Sequence, residues 1–330
     1  MRFHYIILLL LVVSLACTPE EKTIGTIERI DPALDSIISA DAKIEIIGEG
    51  YDWSEGPLWV GSHNMLLFSD VPKNTIYKWT QEKGAEVYLT PSGFTGDSTE
   101  SKEPGSNGLL FDDEGGLVLC QHGDRRLAVM NSPIDAPKAD FTSIADRFNG
   151  KRFNSPNDAV FYNYSFYFTD PPYGLPKQAE DSTKEIPYQG VYVVPAEGEI
   201  KVIVDSLTRP NGLAFLPDRK TLIVSNSDSV KAIWYAFDLT ENDSVTNARV
   251  FYDATENTKT EKGLPDGLKI DQKGNIFATG PGGVWIFNSA GKLLGKIKIT
   301  EKTSNCAFGD DEKTLYVTAD MYVLKIKLRD

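Results

Sequence analysis

Six short motifs carry the residues whose types and spacing can do chemistry. They are Glu55-Gly-Pro-Leu-Trp, Asn107-Gly-Leu-Leu-Phe, Asn157-Asp-Ala-Val-Phe, Asn211-Gly-Leu-Ala-Phe, Asp266-Gly-Leu-Lys-Ile and Asn305-Cys-Ala-Phe. Each places an oxygen-bearing side chain at the entrance of a strand-like apolar run. Two are carboxylates and four are amides. Such a set suits a hard divalent cation, Ca²⁺ first, with Zn²⁺, Mg²⁺ or Mn²⁺ as alternatives. Asn and Asp also favour turns, which accounts for one doorway more easily than for six.

The spacing of these motifs says what must hold them. Successive doorways lie 52, 50, 54, 55 and 39 residues apart. Each is followed by a turn signal and a second β-rich run, as in FDDEGGLVLC (111–120), FLPDRKTLIVS (215–225) and IDQKGNIFATG (270–280). This is hairpin chemistry, and no amphipathic helix interrupts it. Short strands repeated at a period near 50 predict an all-β chain folded as a six-bladed β-propeller; a sandwich or two stacked barrels is the competing architecture. KIEIIGEG (43–50) is expected to add a strand to the final blade, ending MYVLKIKL (321–328), and so close the ring. In a propeller the first strand of each blade is innermost, so all six doorway residues converge on one mouth of the channel. The second strands return to that face at Ser69-Asp70, Thr169-Asp170, Ser225-Asn226 and equivalent positions. Three long loops, 91–106, 174–188 and 254–265, are expected to rim it.

The bulk properties exclude several function classes. The chain of 330 residues carries a formal charge of −13 and is 41% apolar. It shows no basic stripe with interleaved aromatics, so nucleic acid is not an expected partner. No Gly-x-Ser-x-Gly elbow supports a serine hydrolase, and no glycine-rich fingerprint supports a dinucleotide fold. Histidines are too few and too far apart for a His-rich zinc site. The amino terminus, MRFHYIILLLLVVSLACTPEEK, reads as an export leader over residues 1–16. It resembles a bacterial lipoprotein signal with Cys17 as the lipidated residue, followed by a tether over 17–40 and the propeller over 41–330. That reading places the protein in the periplasm or cell envelope, with membrane contact only through the lipid anchor. Cys120 and Cys306 lie in apolar strand contexts and read as ordinary buried thiols.

In context, SEGPLW (54–59), SNGLLFD (106–112), QHGDRRL (121–127), RFNSPNDAVF (152–161), YFTDPPYG (167–174), RPNGLAF (209–215) and LPDGLKID (264–271) resemble the family of gluconolactonase, regucalcin and luciferin-regenerating enzyme. The resemblance covers roughly residues 45–328 and is nearest the bacterial gluconolactonase branch. It implies a six-bladed propeller with one functional divalent ion, held by Glu55, Asn157, Asn211 and Asp266. It also implies Asp266 as the catalytic base of a metal-dependent hydrolysis of a sugar lactone. Arg152 and Asn154 follow from the same resemblance as substrate contacts. Asn107, His122, Arg125, Tyr173 and Asn305 are further substrate-binding candidates by position. The competing functions are a phosphotriesterase or aryl-esterase on the same scaffold, and a non-catalytic exported propeller that only binds.

Overall fold

A computed structural model of the chain describes residues 22–309 and 311–329. The leader and Cys17 lie outside the described residues. No helix among the described residues is long and apolar enough to cross a membrane.

Six antiparallel blade sheets follow one another along the chain, five of four strands and one of five. The innermost strands are Ser54–Val60, Ser106–Phe111, Ala159–Tyr162, Pro210–Phe215, Leu268–Ile270 and Thr303–Gly309, and each neighbours the next around a ring. This is the six-bladed propeller that the spacing predicts. Two of the turns between first and second strands are built by aspartates: Asp112 accepts from Gly116 N at 2.6 Å and Asp271 accepts from Asn275 N at 2.7 Å. A short polar side chain that satisfies the turn's own N–H groups explains the recurring Asp/Gly signal.

One apolar cluster fills each seam between neighbouring blades. Leu66 and Phe68 of the first blade meet Tyr316 and Val323 of the sixth, so the seam that closes the ring is also apolar. The sixth blade takes its outer strand, Ile44–Glu49, from the start of the chain, paired antiparallel with Tyr322–Lys327. Burial of Ile44 there contributes about 1.5–3 kcal/mol, which helps to pin the two ends of the chain together. Cys120 and Cys306 are both buried and free, in different seams.

One boundary differs from the sequence reading. The described part of the 17–40 tether is not free chain. Thr26–Arg29 adds a fifth, outermost strand to the fifth blade by pairing with Leu293–Lys298, and a 3₁₀ turn at Pro32–Ser36 buries Leu34. Arg29 ties the segment down by donating to Ser39 O at 2.5 Å and to Asp35. Leu34 and Ile38 are fully buried in the seam between the fifth and sixth blades, and that apolar pair is the physical reason this stretch stays on the domain.

Candidate active site

Local irregularity at the doorways aims their side chains. The inner-strand pairing slips register between Glu55 and Leu58, Ser106 and Leu109, Pro210 and Leu213, and Thr303 and Asn305. A bulge of this kind turns a side chain out of the strand's ordinary alternation. Hydroxyls at the ends of the second strands catch the backbone groups it frees. Ser69 Oγ donates to Asn107 O at 3.0 Å, Thr279 Oγ1 donates to Ser304 O at 2.9 Å, and Asn305 N donates to Thr318 Oγ1 at 3.1 Å. The next residue along each second strand then holds the incoming loop. Asp70 accepts from Trp53 N, Asp170 from Asn154 N and Ser155 N, and Asn226 from Arg209 N, at 2.8–3.2 Å.

The glycine after a doorway serves the neighbouring blade. Gly108 N donates to Asn157 O at 2.8 Å and Gly212 N to Asp266 O at 3.2 Å, so consecutive doorways are tied side by side. A β-carbon at Gly212 would lie 2.4 Å from Asp266 O and 2.6 Å from Gly267 Cα. Gly212→Ala is therefore expected to cost about 1–3 kcal/mol through overpacking against backbone. Circular dichroism melts should show a lower Tm, and the displaced Asp266 should lower activity as well. A variant that melts and turns over like the wild type would show that the contact is not needed.

Five of the six doorway side chains, Glu55, Asn107, Asn157, Asn211 and Asp266, line one cavity of about 590 Å³. Asn107 Oδ1, Asn157 Oδ1 and Asp266 Oδ1 are buried there and have no hydrogen-bond partner among the described residues. Glu55 Oε2 accepts only from its neighbour Gly56 N, at 3.0 Å. Burial pushes the Glu55 carboxyl up to about 8, with the charge of Asp158 adding to it. Burial, followed by the charge of Glu55, holds Asp266 well above the usual carboxylate range. Buried carboxylates and amide oxygens without partners carry a desolvation cost, which a cation at their focus would relieve. Among the described residues no three His, Cys, Asp or Glu side chains are placed to hold an ion. The donor set is therefore two carboxylates supplemented by amides. Oxygen-only and low in charge, it fits a hard divalent ion and has no soft ligand.

The remaining sequence-predicted residues divide into those at the cavity and those away from it. Tyr173 lines the cavity, with its hydroxyl held up by burial and by the charge of Asp266. Asn305 does not reach the mouth. Its amide turns down into the channel, where Nδ2 donates to Asp158 Oδ2 and Oδ1 accepts from Lys269 Nζ, each at 3.3 Å. The space it fills is left open by Gly267, whose missing β-carbon would come within 2.0 Å of Asn305 Cγ. Arg125 is buried behind the site, with Nε donating to Phe153 O and Nη1 to Thr183 O. Asn154 supports the third doorway by donating to Asp170 O and Tyr188 O. Arg152 lies on a short hairpin and donates to Asp124 O. These three anchor loops, and none lines the cavity. His122 is fully buried beneath Gly174 and touches Asn157 rather than open space; burial pushes its imidazole down to about 4.

Two of the three long loops line the cavity. Loop 254–265 contributes residues from Thr258 to Leu264, and loop 91–106 contributes Glu103. Loop 174–188 packs over the second and third blades instead. The sequence reading missed Trp53, Glu103 and Ser227, all in the cavity wall. Burial pushes Glu103 up to about 7. Glu103 lies in an irregular loop with no repeat to mark it. Trp53 and Ser227 each stand two residues from a repeated position, Glu55 and Ser225, and that proximity was the available signal.

A propeller of six blades, with a polar mouth built from the same position of five of them, defines the structural class. The chain belongs to the SMP-30/Gluconolactonase/LRE-like family, whose model matches residues 53–320. It is 38% identical over 315 residues to a gluconolactonase of Zymomonas mobilis, covering 93% of this chain and 87% of that protein. A pentonolactonase of Haloferax volcanii is 25% identical, with 80% of each chain covered. Among solved structures, a gluconolactonase of Xanthomonas campestris superposes with a TM-score of 0.79 at 27% identity, covering 95% of this chain and 99% of that one. A luciferin-regenerating enzyme shares the fold at a TM-score of 0.67 and 18% identity, over 92% of this chain and 95% of that one.

Proposed function

We propose that this protein is a metal-dependent lactonase that opens a sugar lactone to its hydroxy acid. The observation that carries the reading is the convergence of Glu55, Asn107, Asn157, Asn211 and Asp266 on one cavity with unpartnered buried oxygens. The similarity to gluconolactonases supports the choice of substrate class. Glu55, Asn157, Asn211 and Asp266 would hold the ion, Ca²⁺ being the best match to the donors. When bound, a divalent ion supplies Lewis-acid polarisation of an ester carbonyl. The chain's own groups do the rest. Asp266 takes a proton from the attacking water as its oxygen joins the carbonyl carbon, then returns it to the ring oxygen as the ring C–O bond breaks. Asn107 and Tyr173, in the cavity wall, would hydrogen-bond sugar hydroxyls, and Trp53 in the same wall would supply apolar contact to the sugar ring. Loop 258–264 forms one side of the cavity.

The test is a pH-stat assay of glucono- and pentonolactones, with aryl esters and phosphotriesters as controls. It is run after EDTA treatment and after return of Ca²⁺, Mg²⁺, Mn²⁺ or Zn²⁺. Lactone turnover restored by an ion supports the reading; turnover of only phosphotriesters or aryl esters, or of nothing, overturns it.

The exported, lipid-anchored state belongs to the same proposal, and its support is the leader pattern ending at Cys17. Cys17→Ser is expected to move the protein from the membrane fraction to the soluble fraction and to abolish incorporation of labelled palmitate. Unlabelled wild-type protein would refute the anchor.

A further inference from the structure

The donor that Asn157 presents depends on which way its amide is turned. An oxygen facing the cavity can hold a cation, and a nitrogen there repels one. Asn157 Nδ2 lies 3.3 Å from His122 Nε2, while Asn157 Oδ1 is buried with no partner among the described residues. On the other side of the imidazole, Nδ1 faces Glu103, whose carboxylate oxygen is 3.9 Å away. Nδ1 makes no hydrogen bond among the described residues; with the Asn157 amide nitrogen turned to Nε2, Nε2 is the acceptor and the imidazole proton lies on Nδ1. The Asn157 amide oxygen is then the atom left for the cavity. His122 is itself locked: it is fully buried, and Gly174 packs on its β-carbon closely enough that a β-carbon at that glycine would lie 2.7 Å away. Asn211 is treated in a parallel way, its Nδ2 lying 3.2 Å from Ser227 Oγ, which in turn donates to Pro265 O.

From this geometry we infer that His122 is a positioning residue that turns the Asn157 amide oxygen toward the cation site. This rests on the metal-dependent reading above. His122 contacts no substrate, and its effect reaches the ion only through Asn157. Partners that orient a ligand in this way are typically worth 10–100-fold in metal affinity.

The experiment measures Ca²⁺ and Mn²⁺ affinity of EDTA-stripped full-length protein by calorimetry, with no turnover involved. His122→Leu should weaken binding by about 10–100-fold. His122→Gln should restore most of it, because its amide oxygen can accept from Asn157 at nearly the place of Nε2. On an Asn157→Ala background, His122→Leu should weaken binding no further. Near-ultraviolet circular dichroism identifies any variant that has lost its packing, and the Gln variant then carries the test. Wild-type affinity in His122→Leu overturns the inference, as does a loss that is equally large on the Asn157→Ala background. A wild-type protein that takes up no ion overturns both this inference and the metal-dependent lactonase reading, whereas an unaffected His122→Leu with normal wild-type binding sinks only the former.

Discussion

Asp266→Asn is expected to lower lactone turnover by about two to four orders of magnitude, the range associated with a positioned general base, while leaving the fold intact. The substitution keeps the shape of the side chain and removes the two properties the site uses, its charge and its capacity to hold a proton. It should not destabilise the protein. Asp266 is raised by burial and by the Glu55 charge, so in the ion-free state its carboxylate is a liability, and relieving an uncompensated buried charge is neutral or stabilising. The melting temperature of the stripped variant should therefore equal or exceed that of the stripped wild type. The pairing of lost turnover with retained or raised stability separates a functional residue from a structural one. Turnover within tenfold of the wild type would remove Asp266 from the mechanism. A lower melting temperature would mean instead that its bond to Gly212 N, made through the backbone, had been disturbed.

Much of this site was legible because propellers convert a linear period into a circle. Any residue at a fixed offset from the start of an inner strand must arrive at the same mouth. Glu55, Asn107, Asn157, Asn211 and Asp266 were identifiable on that ground alone. The same rule failed for Asn305, since offset specifies where a backbone lies and not which way a long side chain leans. Gly267 leaves room below, and Asp158 with Lys269 supplies polar partners there. Arg125, Arg152 and Asn154 show the opposite error. They come from segments close to the cavity in sequence, but they donate to backbone carbonyls of Phe153, Thr183, Asp124, Asp170 and Tyr188, although Arg125 Nη2 is buried with no partner among the described residues. Nothing in local composition distinguishes an arginine that ties down a loop from one that meets a ligand. The outer strand at Thr26–Arg29 was hidden for another reason. Four residues facing mostly solvent carry no alternation strong enough to stand out from a polar linker. The doorway glycines were legible in kind but not in role: turn chemistry accounts for them locally, whereas their lateral bonds to the next blade emerge only in three dimensions.

The second large effect is a coupling between protons and the ion. Without an ion, burial raises Glu55 to about 8 and holds Asp266 well above its ordinary range, so at neutral pH the pair retains protons that the unfolded chain has released. At Glu55 the folded state binds more protons than the unfolded state between about pH 4 and about pH 8, and Asp266 acts in the same direction. By linkage, this pair's contribution to the stability of the stripped protein falls as pH rises through that window, while buried His122, pushed down to about 4, opposes it below the ordinary histidine range. A divalent ion reverses the balance, because its ligands must be deprotonated and its uptake expels their protons. Affinity for the ion should consequently rise with pH, by up to about tenfold per unit for each proton displaced. Calorimetric titration at pH 7 in two buffers of different ionisation enthalpy should register net proton release. Thermal melts in EDTA from about pH 6.5, the ordinary histidine value, up to 8 should decline, while melts in saturating Ca²⁺ should hold level or rise. Proton uptake on binding, or an affinity flat across these pH values, would show that Glu55 and Asp266 do not hold the ion, and the site would then have to be sought elsewhere in the molecule.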